Sequence, residues 1–347
     1  MTIKFTVLFA AVAATAALAA CGGGSSDLAP APAPVAPAPG PAIPAPAPSP
    51  APAPAPAGSA YLTRMPVTAV SAPTYAAGTF NLSAFNRLNT LRQSVGLGLF
   101  SQNDKLDVAT AAHANYVKTN GNGDSHYETA GRAGYTGYSP IDRMVAAGYS
   151  SAYSSWAEDI AFFADGTNTV DQLINAIYHR IPLLQYKIKE IGIGFLQTST
   201  DPDPRFNTYV SVFNLAYTGA GQGASAVPSV LWPADNSTTT SVSMPNELPR
   251  PGTPGASGVF GYPVSISVDE DRVLTPITFT LTDSSGAAVA TNLISYSTDP
   301  NLVALNAKPF VAIVPKDPLK AATVYTVQFV GSLDSQPYSR TWSFRTP

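Results

Sequence analysis

Cysteine is nearly absent: Cys21 is the only one in 347 residues. A chain with one thiol builds no internal disulfide, no thiolate metal cluster and no Cys–Cys redox pair. Charge is scarce as well. Charged residues make up 12 % and the net charge is −3, which leaves no basic face for nucleic acid and no acidic tail. There is no GxSxG elbow, no GxxxxGK[ST] phosphate loop and no GxGxxG following a strand. Histidine is limited to three positions, His113, His126 and His179, so any imidazole chemistry must use these. The longest apolar run, "FTVLFAAVAATAALAA", is shorter than the ~20 residues of a membrane-spanning helix.

That run follows Lys4 and reads as a secretory signal over residues 1–20. It ends in "LAAC", Leu18 to Cys21, which resembles a bacterial lipobox. The resemblance implies cleavage before Cys21, lipidation there and a membrane anchor through the lipid. Gly22 after the cysteine, by resemblance to lipoprotein sorting in Gram-negative cells, points to the outer membrane. Proline, in contrast, is abundant between Leu28 and Gly58, where it alternates with alanine. Such a tract cannot continue a helix or build a core, and extends at ~3.1 Å per residue as polyproline II. Residues 21–79 are therefore expected to form the lipidated N-terminus and a tether.

The helical period begins near Asn81, with Phe85, Leu88, Leu91 and Val95 on one stripe and Gly96 closing it. Asn103 is the expected cap of a second helix that runs to Gly121 and places His113 inward, as a hydrogen-bonded core residue. Ser139, Pro140 and Asp142 announce a third helix, ending at Gly148. A fourth is expected from a Thr169 cap, with Pro182 preventing it from continuing far. "EIGIGFLQ" and "NTYVSVFNLAY" read as an antiparallel pair, and Gly192 and Gly194 mark a close approach. Helices preceding strands predict an α+β fold.

"LNTLRQSVGL", "AAHANYV", "SHYETAG", "WAEDIAF", "AIYHRIPLL" and "EIGIGF", in that order, resemble the CAP superfamily of cysteine-rich secretory and pathogenesis-related proteins. The resemblance spans residues 80–218 and implies an α-β-α sandwich with a central cleft. By position it brings His126, Glu158 and His179 into that cleft. The family's fourth position, an acid, falls near Ala176 and is not filled. Two imidazoles and a carboxylate suit zinc with one open position, whose bound water would be a nucleophile. The same trio without metal is a polar cluster that binds a ligand or fixes the fold. Glu128 and Asp159 neighbour the trio in sequence and could substitute for it or tune it, although the plainer reading of each is a solvated surface acid. Tyr135, Tyr138, Tyr149, Tyr153 and Trp156 read mainly as packing, with an exposed subset available to a lipid, glycan or protein.

Beyond a short linker, residues 226–347 alternate with period two: Val264/Ile266/Val268, Ile277/Phe279/Leu281, Tyr325/Val327/Phe329 and Trp342/Phe344. This pattern resembles an Ig-like β-sandwich of bacterial surface proteins. The expectation is an envelope protein that binds a partner in the CAP cleft without catalysis. Its rival is a zinc-assisted hydrolase of an envelope peptide or ester.

Overall fold

The computed structural model describes residues 66–121, 125–199, 208–222, 229–245, 247 and 249–347. The signal segment, Cys21 and the Pro/Ala tether lie outside the described residues. Among these, no helix is long and apolar enough to cross a membrane.

The first helix, α1, spans Phe80–Ser94, and β1 is the short Ser101–Gln102. Helix α2, Asp104–Asn120, begins as the sequence dictates. The Asn103 side chain accepts from Lys105 and Leu106 N–H, and Gly121 ends it in the left-handed conformation at φ 60°. Helix α3, Pro140–Ala146, carries the expected capping box: the Ser139 hydroxyl accepts from Asp142 N–H while the Asp142 carboxylate accepts from Ser139 N–H. Strand β2 follows at Tyr153–Ala161, then α4 at Gly166–Asn175 and α5 at Ile177–Leu183. The fourth expected helix thus starts earlier and is divided. Asp165 caps it, accepting from Asn168 N–H at 2.7 Å, and the Thr169 hydroxyl is already engaged with the Asp165 carbonyl. The break falls at Ala176, whose backbone is extended, ahead of Pro182 rather than at it. Strands β3, Glu190–Ser199, and β4, Thr208–Thr218, complete this region.

These strands form one sheet in the order β1-β3-β4-β2, with β1 parallel to β3 and the other pairs antiparallel. One face carries α1, α4 and α5: Phe85, Leu88, Val170, Leu173 and Leu183 share a cluster with Ala157, Ala161, Phe213 and Leu215. The other carries α2 and α3. There Leu106, Ile141 and Met144 meet Trp156 and Ala216, while Ala114 and Val117 meet Ile160 and Val212. The result is a three-layer α-β-α arrangement. Helix α2 can lie this close because β3 has glycines beneath it. A Cβ on Gly194 would sit 2.5 Å from the Thr110 carbonyl carbon.

The C-terminal region adds β5 (Val230–Trp232), β6 (Val264–Ser267), β7 (Leu274–Asp283), β8 (Thr291–Ile294), α6 (Pro300–Ala304), β9 (Phe310–Pro315), β10 (Val324–Leu333) and β11 (Gln336–Arg345). They form two antiparallel sheets, β5-β6-β9-β8 and β11-β10-β7. Val264, Ile266, Val311 and Ile313 of the first meet Leu281, Val327, Phe329 and Phe344 of the second in one core. Ile277 departs from its expected inward stripe and is 75 % exposed. The register steps from Thr278 opposite Val330 to Pro276 opposite Gly331, so Ile277 is the extra residue of a β-bulge and the alternation changes phase there.

The two regions share their cores. Ile177, Tyr178 and Ile181 of α5 cluster with Met244, Phe260, Leu302 and Phe310 of the C-terminal region. The described residues, from Pro66 onward, fall in one compact unit.

Candidate functional site

Strand β2 is buried along its length from Trp156 to Ala161, so neither of its faces is wet. Successive side chains on a strand point to opposite faces. Trp156 and Ile160 pack under α2 and α3, whereas Ala157 and Ala161 pack under α1 and α4. Glu158 therefore belongs to the α2/α3 side and Asp159 to the α5 side.

The contacts follow that parity. His126 Nδ1 lies 2.9 Å from Glu158 Oε1, and His179 Nδ1 lies 2.7 Å from Asp159 Oδ1. Two of the three residues expected to share a cleft, His126 and Glu158, are in contact. His179 is bonded instead to an acid expected at the surface. Both acids assigned to solvent are buried, Asp159 at 3 % exposure and Glu128 at 1 %.

Arg143 organises the α2/α3 side. It is on the inward face of α3, 1 % exposed, and its Nη2 donates to both Glu158 oxygens at 2.9 and 2.7 Å. Its Nη1 donates to the His126 carbonyl at 3.0 Å, and its Nε lies 3.7 Å from Glu128 Oε1. Glu128 in turn meets His113 Nδ1 at 2.9 Å and accepts from Thr136 N–H at 2.6 Å. His113 is fully buried, with its Nε2 3.0 Å from the Ser125 carbonyl, as a core histidine should be. The chain His113–Glu128–Arg143–Glu158–His126 is thus a continuous buried polar network.

Electrostatics fix the charge states of its acids. Burial by itself would raise the Glu158 carboxyl, but the charges of Arg143, His113 and His126 and the His126 hydrogen bond outweigh it and hold the group at about 2. Burial likewise opposes ionisation of Glu128, yet His113, Thr136 and Arg143 keep it below the usual carboxylate range. On the opposite side burial pulls the His179 imidazole down. The hydrogen bond to Asp159, the Asp159 charge and that of Glu247 reverse this and leave it raised.

In each couple the carboxylate accepts a hydrogen bond from Nδ1–H and so fixes the ring's tautomer, leaving Nε2 as the acceptor nitrogen. A histidine so held can accept a hydrogen bond from a ligand. The zinc set does not fit: His126 and His179 turn to separate carboxylates on opposite faces of one strand, and no group of three or more His, Cys, Asp or Glu is placed to hold a metal among the described residues. A cavity of about 180 Å³ is lined by Leu184, Lys187, Glu270 and Phe310 where α5 meets the C-terminal sheets, and it contains none of the three predicted residues. Of the aromatic set, Tyr149 and Trp156 are core, while Tyr135 and Tyr138 are exposed near the His126 loop.

Arg143 and Glu247 are the residues the sequence reading missed, and Asp159 was read mainly as a surface acid. Arg143 carries a legible signal, since it shares an inward face with Pro140, Ile141 and Met144. Asp159 would have followed from recognising β2 as a strand. Glu247 gives no local signal at all.

No curated protein matches the chain. The chain is similar to an outer surface protein from Borrelia burgdorferi, with 17 % identity over 39 % of this chain and 90 % of that one and a TM-score of 0.32. It is also similar to an extracellular protein containing an SCP domain from Bacillus anthracis, with 19 % identity, 40 % of each chain and a TM-score of 0.31. The Schistosoma mansoni venom allergen-like protein 4 matches with 12 % identity over 44 % of this chain and 97 % of that one, at a TM-score of 0.29. The sequence model of the cysteine-rich secretory protein family, CAP, matches residues 85–214, the segment that holds all three histidines and the carboxylate bonded to each. The chain carries a CAP-superfamily domain over those residues.

Proposed function

We propose that this chain is a cell-envelope protein, anchored by lipid at Cys21 and carried on its Pro/Ala tether, whose CAP domain binds a lipid, glycan or protein partner without turning it over. The observation that carries the reading is that His126 and His179 are each bonded to a carboxylate of their own, Glu158 and Asp159 from successive positions of β2. This arrangement offers hydrogen-bond acceptors to a partner rather than one shared catalytic set. The C-terminal region, which resembles an Ig-like sandwich, extends and supports the CAP domain. The signal-like N-terminus, "LAAC" and the Pro/Ala tract support the envelope location.

The test is co-sedimentation of the chain from Gly58 onward with peptidoglycan sacculi and with phospholipid vesicles, for the native sequence and for His126→Ala and His179→Ala. Saturable retention that drops about tenfold (~1.4 kcal/mol) in a folded histidine variant is expected. Equal retention of all three proteins, or none, overturns the binding role. Calorimetric titration with zinc is the second arm. A stoichiometric isotherm lost in both histidine variants would replace this reading with the hydrolase.

A further inference from the structure

Helix α5 presents an anomaly. Its N-cap is Ala176, which has no side-chain acceptor, although the helix is only seven residues long and its first turn holds His179. Uncapped N–H groups in a buried first turn are costly. The acceptor comes instead from 70 residues downstream. Glu247, 3 % exposed, accepts from Ile177 N–H through Oε2 and from Tyr178 N–H through Oε1, both at 2.7 Å.

The neighbours of His179 are held from the same side. The Tyr178 hydroxyl donates to Asp299 at 2.6 Å, and Arg180 Nη1 donates to the Pro263 carbonyl and the Ser265 hydroxyl at 3.1 and 3.0 Å. Ile177, Tyr178 and Ile181 are sunk in the C-terminal apolar cluster. His179 faces the other way, onto Asp159 of the CAP sheet. A carboxylate at the positive end of a helix is also favoured by the helix dipole.

We propose that Glu247 is the positioning residue of His179: the C-terminal region supplies the cap that α5 lacks and thereby sets the His179–Asp159 couple. The C-terminal region is on this view part of the CAP site. The inference rests on the binding reading only in treating His179 as functional, and its test reads the imidazole itself, so the two can fail separately.

Three histidines give a sparse spectrum, which suits ¹⁵N-histidine NMR on the full chain, recorded well above the imidazole titration range. The charged groups facing Glu247 are His179 and Arg180, with Asp159 behind His179 and Asp299 behind Tyr178. The native protein should show His179 in the Nδ1–H tautomer. Glu247→Ala should remove that signal in favour of Nε2–H, leaving His113 and His126 unchanged. Asp299→Asn loosens the same seam and should lower the thermal midpoint while leaving the His179 tautomer intact. An unchanged His179 signal in folded Glu247→Ala overturns the inference, as does an equal change in Asp299→Asn. Should Glu247→Ala not fold, hydrogen exchange in the native protein decides. Protected Ile177 and Tyr178 amides are expected, and exchange of both at the rate of exposed loops overturns the cap.

Discussion

Arg143→Met should be among the most damaging single substitutions in the CAP domain. The guanidinium is buried and makes two charge-assisted bonds to Glu158 and one to the His126 carbonyl. Methionine fills much of the volume but leaves the Glu158 carboxylate, itself 4 % exposed, with His126 as its remaining partner. Stranding one member of a buried ion pair costs about 3–5 kcal/mol. Urea denaturation near neutral pH should therefore show a midpoint loss of that size at constant slope. The pH dependence is a stricter check. Glu158 titrates at about 2 in the folded protein, below the ordinary carboxylate value of 4.5. Its stabilising contribution is present above the unfolded value and is lost as pH falls through the folded one. The difference between native and variant should then shrink by up to about 3 kcal/mol from neutral pH to about pH 2. A loss below ~1 kcal/mol near neutral pH, or a loss that does not change with acidification, would refute the network as the origin of the stability.

Gly194→Ala should destabilise by at least ~2 kcal/mol in the same assay, because the new methyl meets the α2 backbone at Thr110 rather than a side chain that can swing away; a change below ~0.5 kcal/mol would mean α2 is not seated on β3. Glu270→Gln should stabilise the protein in base. Burial raises the Glu270 carboxyl to about 7, against the bond its Oε1 accepts from Lys187 N–H at 3.3 Å. The folded form therefore holds the proton longer than the unfolded chain, and stability declines as pH rises from the ordinary value of 4.5 to about 7. Because part of the side chain reaches solvent, the gain above that range should be about 1–2 kcal/mol and should vanish in acid, read from thermal midpoints across pH; a constant difference would sink the assignment. Metabolic labelling with a lipid precursor should mark the native chain and fail for Cys21→Ala, and equal labelling would remove the anchor.

Caps were the most legible part of the fold, because cap chemistry is local. Asn103, Gly121 and the Ser139/Asp142 box act within three or four residues of themselves, and the structure uses each as read. Gly192 and Gly194 were legible as points of close approach for the same reason. Phase changes were not. Ile277 leaves its stripe because the β7–β10 register shifts between Val330 and Gly331, and a pattern on one strand carries no trace of its partner's register. Glu247 marks the far limit, since the helix it caps lies 70 residues away.

The structure pairs His126 with Glu158 and His179 with Asp159, and both contacts have one cause. "SSWAEDIAF" does not look like a strand by alternation, because β2 has helices on both faces and is apolar on both. Read as an unstructured motif, its two adjacent acids are interchangeable, and a family pattern assigns one of them to a common cleft. Read as a strand, they cannot serve one site: a side chain at 158 and a side chain at 159 leave the sheet in opposite directions. Each histidine then has a carboxylate of its own, His126 from the even position and His179 from the odd. The distinction decides the chemistry. A trio converging on one point can hold a metal and activate water; here each imidazole is bonded to a carboxylate of its own, which fixes its tautomer.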